Sequence, residues 1–208
     1  MNIQIESLTS TSIAESADLL AGVFRNLEPM TAALHFSPEF YSSYIRSVCE
    51  HGFEDGLAVG ARDWELETHP LVGIALGLDE GKYRQTLQLV PPPYRAEMEE
   101  MNDFFEELDK PLSLLRGKWT YVFYLAVAPT HWRAGISLRM LDRLEHLLHD
   151  KRYEYLVSET TNPKSEGAFR KRGYTLLNQL TYAKHLYKGD YPFARIPGEC
   201  SLFLKKIA

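Results

Sequence analysis

The sequence lacks the features that mark several large classes of proteins. Only two cysteines occur among 208 residues, too few for a disulfide-stabilised scaffold, and Cys49 and Cys200 do not have the spacing of metal ligands. The longest wholly apolar run, YVFYLAVA at residues 121–128, is far too short to span a bilayer. The amino-terminal stretch MNIQIESLTS has no apolar segment typical of a signal peptide. These absences favour a reduced, cytoplasmic protein with no metal site and no membrane partner.

Positive charge is also scarce. Lys and Arg number 23 against 28 Asp and Glu, and the formal net charge is −5. General nucleic-acid binders are usually basic, so that class of partner is disfavoured. No internal repeat, low-complexity tract or Gly-Lys-Ser/Thr triplet of a nucleotide-binding P-loop occurs. What is present is a hydrophobic share of 45% and an aromatic share of 12%, typical of a globular chain, and we expect one domain over residues 1–208.

Hydrophobic periodicity divides the chain into strands and helices. Ile13, Ala17, Leu20 and Phe24 recur at helical spacing. Residues 119–128 are apolar apart from Thr120, as in a central strand buried on both faces. The predicted strands are 2–7, 56–66, 71–79, 119–128, 153–159, 174–186 and 199–206, and the predicted helices are 11–26, 38–50, 134–150 and 163–172. This order predicts an α/β (α+β) fold, in which a mixed sheet carries helices on both faces.

Residues 81–118 interrupt the succession of strands and are expected to form a helical insert. A run of three prolines ends any preceding element, after which Met98, Met101, Phe105 and Leu108 recur at helical spacing. The other face of this helix is crowded with Glu and Asp. A solvated face is the favoured interpretation, and a binding surface is the alternative.

The stretch VAPTHWRAGISLRML, residues 127–141, runs from a strand into a helix through a short loop. The first N–H groups of a helix have no internal partner, and together with the helix dipole they favour an anion. Gly135 allows the backbone to approach such an anion closely, and Arg133 adds a charge of suitable sign. Taken alone, the stretch supports a phosphate-binding loop and an ordinary turn about equally.

Together with the order of elements, LAVAPTHWRAGISLRML resembles the coenzyme-binding segment of the GNAT superfamily of N-acetyltransferases. In that family the loop has the form V-x-x-x-x-[Q/R]-x-x-G-x-[G/A]; Val127 and Gly135 fit, whereas Trp132 and Ser137 depart from it. The resemblance covers nearly the whole chain and implies a mixed, mostly antiparallel sheet of about seven strands. It also implies that acetyl-coenzyme A binds with its pyrophosphate on the loop amides. The implied coenzyme-binding residues are Leu125, Ala126, Val127, Arg133, Ala134, Gly135, Ile136, Ser137 and Leu138.

A second segment, TNPKSEGAFRKRGY at residues 161–174, is similar to the family pattern N-x-x-S/A-x-x-x-[Y/F]-x-x-x-G-[F/Y]. The resemblance implies that Asn162, Ser165 and Phe169 lie beside the pantetheine arm of the coenzyme. Many members carry a tyrosine at the position of Phe169, and that tyrosine protonates the departing thiolate. Phenylalanine has no ionisable proton, so the acid would be another group or a water, with Ser165 a weak candidate.

A third segment, VFRNLEPMTAAL at residues 23–34, resembles the F-x-x-x-E-P-L segment of the arylalkylamine-type branch of the superfamily. There the glutamate is a catalytic base that acts on the amine through water, and it aligns with Glu28. An ordinary Glu-Pro turn after a helix is the alternative explanation of this motif. Glu159, at the end of a predicted strand, and Tyr182, on the sixth, are further candidates to contact the acceptor.

The resemblance implies an N-acetyltransferase that moves an acetyl group from acetyl-coenzyme A to a primary amine of a small molecule, by direct transfer in a ternary complex. Neither cysteine lies in a matched segment, so no thiol nucleophile is expected. Two alternatives stay open: a catalytically impaired coenzyme-binding regulatory module, and an acetyltransferase of protein or peptide amines. We expect a monomer, or a homodimer formed through an exposed last strand.

Overall fold

The computed structural model describes residues 1–161 and 163–207, without the side chains of Leu87, Glu97 and Lys164. Seven strands in this part of the chain form one sheet. They are β1 (Ile3–Ser7), β2 (Ala58–Asp63), β3 (Leu71–Asp79), β4 (Trp119–Val127), β5 (Tyr155–Thr160), β6 (Thr175–Thr181) and β7 (Glu199–Lys206). Their order across the sheet is β1-β2-β3-β4-β5-β7-β6.

The sheet is mixed and mostly antiparallel. β4 and β5 run parallel, whereas the other neighbouring pairs are antiparallel. A parallel pair needs a long crossover connection, which here contains the helix after β4. The predicted fold class, a mixed and mostly antiparallel sheet of about seven strands with helices on both faces, is confirmed.

Helices cover both faces of the sheet. They are α1 (Ile13–Leu27), α2 (Pro29–Leu34), α3 (Pro38–Phe53), α4 (Glu80–Gln85), α5 (Arg95–Leu108), α6 (Ile136–Asp150) and α7 (Pro163–Lys171). On one face, α1 and α3 pack against a cluster that includes Ile74 and Leu76 of β3. On the other face, Met140 and Leu144 of α6 join a cluster that includes Val59 of β2. The sheet is therefore buried on both sides, which explains why its central strands are almost wholly apolar.

Strands β4 and β5 separate after a short common stretch. Their pairing is limited to Trp119–Tyr121 opposite Tyr155–Val157, after which β4 continues beside β3 and β5 beside β7. The register between β3 and β4 skips Phe123, so β4 carries one extra residue there. Such a bulge bends a strand and re-aims its side chains. The result is an opening between the carboxyl-terminal half of β4 and the end of β5.

Some elements differ from the sequence-based expectations. The helices α2 and α4 are not predicted, because six residues are too few to show a hydrophobic period. Within the predicted insert, Phe104 of α5 is fully buried, although Phe105 fits the helical spacing better. The strand expected over residues 174–186 ends at Thr181, because Tyr182–Lys184 turn into a short 3₁₀ helix.

Candidate active site

The opening between β4 and β5 leads into a cavity of about 1650 Å³. Its wall is formed by β4, the loop before α6, the end of β5 and α7, together with the junction of α1 and α2 and the insert. The predicted site residues that line it are Glu28, Leu125, Ala126, Val127, Arg133, Gly135, Ile136, Ser137, Leu138, Glu159, Ser165 and Phe169. The structure thus brings the candidate base, the candidate coenzyme loop and one candidate acceptor contact to a single cavity.

The loop that leads into α6 presents backbone amides to this cavity. Gly135 precedes the first helical residue with a φ of 70°, in the left-handed region that favours glycine, and it has no side chain to cap the helix. The N–H groups of Ile136, Ser137 and Leu138 form the first turn and have no partner four residues earlier in the helix. The first regular helical bond runs from Arg139 N to Gly135 O, at 3.2 Å. Three amide donors at the positive end of a helix dipole suit a pyrophosphate.

Side-chain hydrogen bonds hold this loop against the sheet. Trp132, which departs from the family pattern, donates its indole N–H to Val127 O at 2.8 Å, although 41% of the residue is exposed. Nε2 of the buried His131 lies 3.1 Å from Asp63 Oδ2. The amide of Glu65 and the imidazole of His131 hold the pKa of the Asp63 carboxyl below its ordinary value. A carboxylate therefore orients His131, and His131 in turn fixes the start of the loop.

The backbone of β4 offers further donors next to the loop. Ala128 N donates to Val72 O, on the side of β3, at 2.8 Å. Because the bonding direction alternates along an antiparallel strand, Leu125 and Val127 direct their N–H groups away from β3 and into the opening. Donors fixed in this way are suited to stabilise an oxyanion that develops beside the strand.

Glu28 lies at the junction of α1 and α2, where the backbone fixes its carboxylate. Oε1 accepts a hydrogen bond from Met30 N at 3.1 Å, and Oε2 accepts one from Thr31 N at 2.6 Å. Glu28 is only 7% exposed, and it lines the cavity. Each carboxylate oxygen has a second lone pair, so the group can still accept a hydrogen bond from a water or an amine. The Glu-Pro turn and the candidate base are thus the same structural feature.

A second group of ionisable side chains lies around the end of β5. The hydroxyl of Tyr83 donates to Asp109 Oδ2 at 2.5 Å, and the Tyr83 ring stacks on Tyr121 with 4.2 Å between ring centroids. Burial raises the pKa of the Glu159 carboxyl well above its ordinary value, and the charge of Asp109 raises it further. Burial also raises the pKa of Asp109. Two carboxyl groups that interact in this way share protons as a pair.

Ser165 and Phe169 lie on α7, where that helix borders the cavity. Phe169 is almost fully buried and packs edge-on against Tyr174, with 4.9 Å between ring centroids. Its ring is therefore part of the protein core as well as of the cavity wall.

The remaining predicted site residues lie elsewhere or outside the described chain. Tyr182 does not line the cavity; it is fully buried, and its hydroxyl donates to Thr161 O at 2.8 Å. It turns inward because β6 ends one residue earlier. Ala134 belongs to the loop but not to the lining, and Asn162 falls outside the described residues.

Three residues around Glu159 are missed by the sequence analysis, namely Tyr83, Asp109 and Tyr121. Two of them belong to the insert, which supplies lining residues from Tyr83 to Ser113. The acidic character of the insert is the signal that could have pointed to them. Its helical periodicity explains only α5, whereas Asp109 lies just after that helix ends.

The raised pKa of Glu159 predicts that the difference in stability between Glu159→Gln and the wild type depends on pH. Because the folded state holds the Glu159 proton more tightly than the unfolded state, stability falls as pH rises above the unfolded value of about 4.3. Glu159→Gln removes this loss, so its Tm should exceed that of the wild type by several degrees at pH 8. The two should converge at about pH 3, more than one unit below the unfolded pKa, where both states of the wild type are protonated.

Thermal unfolding across this pH range measures the effect. The exposed carboxyl of Glu67 provides the control, and Glu67→Gln should follow the wild type at every pH. A constant Tm difference between Glu159→Gln and the wild type would contradict the assigned direction of the pKa.

Two further observations concern the described residues as a whole. No group of three or more His, Cys, Asp or Glu side chains among them is arranged to hold a metal ion. None of their helices combines the length and the apolarity needed to cross a membrane.

Comparisons with known proteins bear on this geometry. A model of the acetyltransferase (GNAT) family matches residues 64–174, which include β3, the insert, β4, the loop, α6, β5 and α7. No curated protein matches the chain by sequence.

Solved structures share the whole fold at low sequence identity. Arylalkylamine N-acetyltransferase 2 from Aedes aegypti superposes with a TM-score of 0.80 at 17% identity, covering 100% of both chains. A polyamine N-acetyltransferase from Drosophila melanogaster, which catalyses the formation of N-acetylagmatine, superposes with a TM-score of 0.78 at 15% identity, covering 99% of this chain and 100% of the other. The similarity thus extends to the first helices and the last strands, beyond the range of the family match.

Proposed function

The chain belongs to the acetyltransferase (GNAT) family and is an acetyl-coenzyme A-dependent acyltransferase, and from this premise we propose that its acceptor is a primary amine of a small molecule. The observation that carries the proposal is the position of the Glu28 carboxylate. It lines the same cavity as the residues of the α6 loop and as Leu125 and Val127 of β4, whose N–H groups point away from β3. The candidate base and the candidate acyl-donor site therefore line the same cavity.

The cavity fits acetyl-coenzyme A. The amides of Ile136, Ser137 and Leu138 would hold its pyrophosphate, helped by the side chain of Arg133, which also lines the cavity. The N–H groups of Leu125 and Val127 would hold the pantetheine arm and the thioester carbonyl in the opening beside β4. When bound, the coenzyme supplies an activated acetyl group as a thioester.

In the proposed reaction, Glu28 makes the acceptor nucleophilic. An alkylamine has a pKa of about 10 and is mostly protonated at neutral pH, so it must lose a proton before it can attack a carbonyl carbon. Glu28 accepts that proton either directly or through a water molecule that donates a hydrogen bond to the second lone pair of a carboxylate oxygen. The amide N–H of Val127 or Leu125 then stabilises the negative charge that develops on the carbonyl oxygen.

When the tetrahedral intermediate collapses, the C–S bond breaks and the attacking nitrogen loses its second proton. The departing thiolate either takes up a proton or is released as the anion. Phe169 cannot donate a proton, and its ring is packed in the core. Ser165 lines the cavity on the same helix and is the candidate donor. Because an unperturbed serine hydroxyl is a poor acid, a water that Ser165 orients is the alternative donor.

The similar structures support an amine acceptor, since their names refer to arylalkylamines and to polyamines. The shape of the site supports a small one. The cavity is walled by α1, α2 and the insert as well as by the sheet, and such a wall favours a small molecule over a polypeptide. A second candidate function, a coenzyme-binding regulatory module, is favoured by one observation, namely that Phe169 cannot act as an acid.

Thiol release from acetyl-coenzyme A, measured against a panel of amines, tests the proposal. Primary amines should support turnover with one equivalent of thiol per N-acetylated product. Tertiary amines of similar shape provide the control and should not be acetylated, because they cannot lose a proton after attack. Coenzyme binding without turnover on any amine would instead favour the regulatory module, and turnover on peptides alone would favour a polypeptide acceptor.

A further inference from the structure

Three polar groups at the inner wall of the cavity are buried, interact only weakly with one another, and lack a hydrogen bond of good geometry within the described residues. They are Oε1 of Glu159, Oδ1 of Asp109 and the hydroxyl of Tyr121, and none of them makes a hydrogen bond of good geometry to another described residue. Tyr121 is only 2% exposed, and all three residues line the cavity. The groups are nevertheless close enough to act on one another's ionisation. A buried acceptor without a partner is costly, so this wall is suited to a ligand that donates hydrogen bonds.

The charge of the wall identifies the kind of donor. Asp109 and Glu159 are both acidic, and the positive charge that acts on Asp109 is that of Arg84. Arg84 is itself paired with Glu80, at 2.9 Å, and lies over the ring of Trp119. Lys110, which also lines the cavity, is exposed. Asp109 and Glu159 can therefore still accept hydrogen bonds from a cation that enters from the cavity.

The pair is distinct from Glu28. Glu28 belongs to the junction of α1 and α2, where the amides of Met30 and Thr31 donate to its carboxylate. Asp109 instead follows α5, and Glu159 lies one residue before the end of β5. Apolar side chains of the same cavity, among them Met101, Phe105 and Phe123, suit a hydrocarbon chain. The cavity thus offers the Glu28 carboxylate to one end of a ligand, and the carboxyl groups of Asp109 and Glu159 to the other end.

We propose that Asp109, Glu159 and Tyr121 form a subsite for a second cationic group of the acceptor, which makes the acceptor a diamine or an aminoalkyl guanidine. The proposal rests on the proposed function, in which Glu28 serves the reacting amine. The second cation is not acetylated; it donates hydrogen bonds to the two carboxyl groups and accepts none. When it binds, it favours the ionised form of the pair, so the site releases a proton.

The kinetic test compares the diamine putrescine with the monoamine butylamine, which share the same carbon chain. In the wild type, kcat/KM for putrescine should exceed that for butylamine by at least about tenfold, since charge-assisted hydrogen bonds are among the stronger ones. Asp109→Asn and Glu159→Gln should reduce that ratio severalfold or more, mainly through KM for the diamine. The near-isosteric Tyr121→Phe should reduce it less, because it leaves both carboxyl groups in place.

A matched control separates the subsite from the general negative charge of the insert. Glu106 lines the same cavity from α5, but it is exposed, and its Oε1 accepts a hydrogen bond from Asn102 Nδ2 at 3.0 Å. Glu106→Gln should leave the ratio between diamine and monoamine unchanged. An equal change in Glu106→Gln and Asp109→Asn would mean that long-range charge, rather than a subsite, selects the acceptor.

Calorimetric measurement of amine binding tests the proposal independently of catalysis. With unacetylated coenzyme A bound, so that no acetyl transfer occurs, putrescine should bind more tightly than butylamine. Titration in two buffers of different ionisation enthalpy should reveal proton release for putrescine only. A ratio near one in the wild type, or equal affinity for both amines, would overturn the subsite. Turnover of butylamine with no preference for putrescine would leave the proposed function standing. Absence of turnover on every amine would count against that function, and the binding data would still decide the subsite.

Discussion

Replacement of Glu28 by Gln is expected to lower kcat by about 10²–10⁴, the usual contribution of a general base. A protonated amine cannot attack a thioester, and Gln cannot take up the proton at neutral pH. The affinity for acetyl-coenzyme A should stay at the wild-type value, because the proposed coenzyme contacts lie on β4 and the α6 loop. Steady-state turnover of a primary amine, together with calorimetric titration of the coenzyme, measures both quantities.

The choice of Gln separates the two roles of Glu28. The side-chain oxygen of Gln can accept a hydrogen bond from Thr31 N as Glu28 does, so the cap of α2 is largely kept. Ser37 gives the matched control, since its Oγ caps α3 by accepting from Phe40 N and does not line the cavity. Ser37→Ala should lower the stability by about 1 kcal/mol and leave kcat unchanged. If Glu28→Gln kept nearly full kcat, Glu28 would be a turn residue only, and Glu159 would be the next candidate for the base.

Gly135→Val is expected to weaken coenzyme binding at least tenfold, which corresponds to roughly 1.4 kcal/mol. Two physical effects act together. The branched side chain would stand beside the amides that face the pyrophosphate, and its backbone would resist the φ of 70° that Gly135 adopts. A Cβ at this position meets no protein atom within 4 Å, so the change crowds the cavity rather than the core. Calorimetry with acetyl-coenzyme A gives the dissociation constant.

Gly189 supplies the control for the backbone effect. It also has a left-handed φ, of 94°, and open space around its Cβ position, but it does not line the cavity. Gly189→Val should therefore lower the stability without changing the coenzyme affinity. If a folded Gly135→Val variant bound acetyl-coenzyme A with wild-type affinity, the α6 loop would not be part of the coenzyme site.

The central part of the fold is readable from the sequence because its determinants are local. The apolar run of β4 and the helical spacing of Ile136, Met140 and Leu144 in α6 each appear within one short window. Gly135 between them is also visible in the sequence as a position of close backbone approach, and the structure adds that its φ is left-handed. These features place the α6 loop correctly at the end of a central strand.

The acceptor side depends on contacts between distant parts of the chain. Tyr83 meets Asp109 across the insert, and Glu159 comes from a strand far beyond both. Hydrophobic periodicity cannot predict contacts between residues so far apart in the chain. The separation of β4 from β5 is likewise a property of the whole sheet. Tyr182 shows the converse case: a residue expected to face the acceptor turns into the core because its strand ends at Thr181.

A structure with acetyl-coenzyme A bound tests the central claim most directly, namely that the opening between β4 and β5 holds the acyl donor opposite Glu28. We expect the pyrophosphate within hydrogen-bond distance of the amides of Ile136 to Leu138, and the thioester carbonyl at the N–H of Leu125 or Val127. The acetyl group should lie in the same cavity as the Glu28 carboxylate, with room for one amine or one water between them. Coenzyme bound elsewhere, or a thioester shielded from Glu28 and facing only Glu159, would contradict the account.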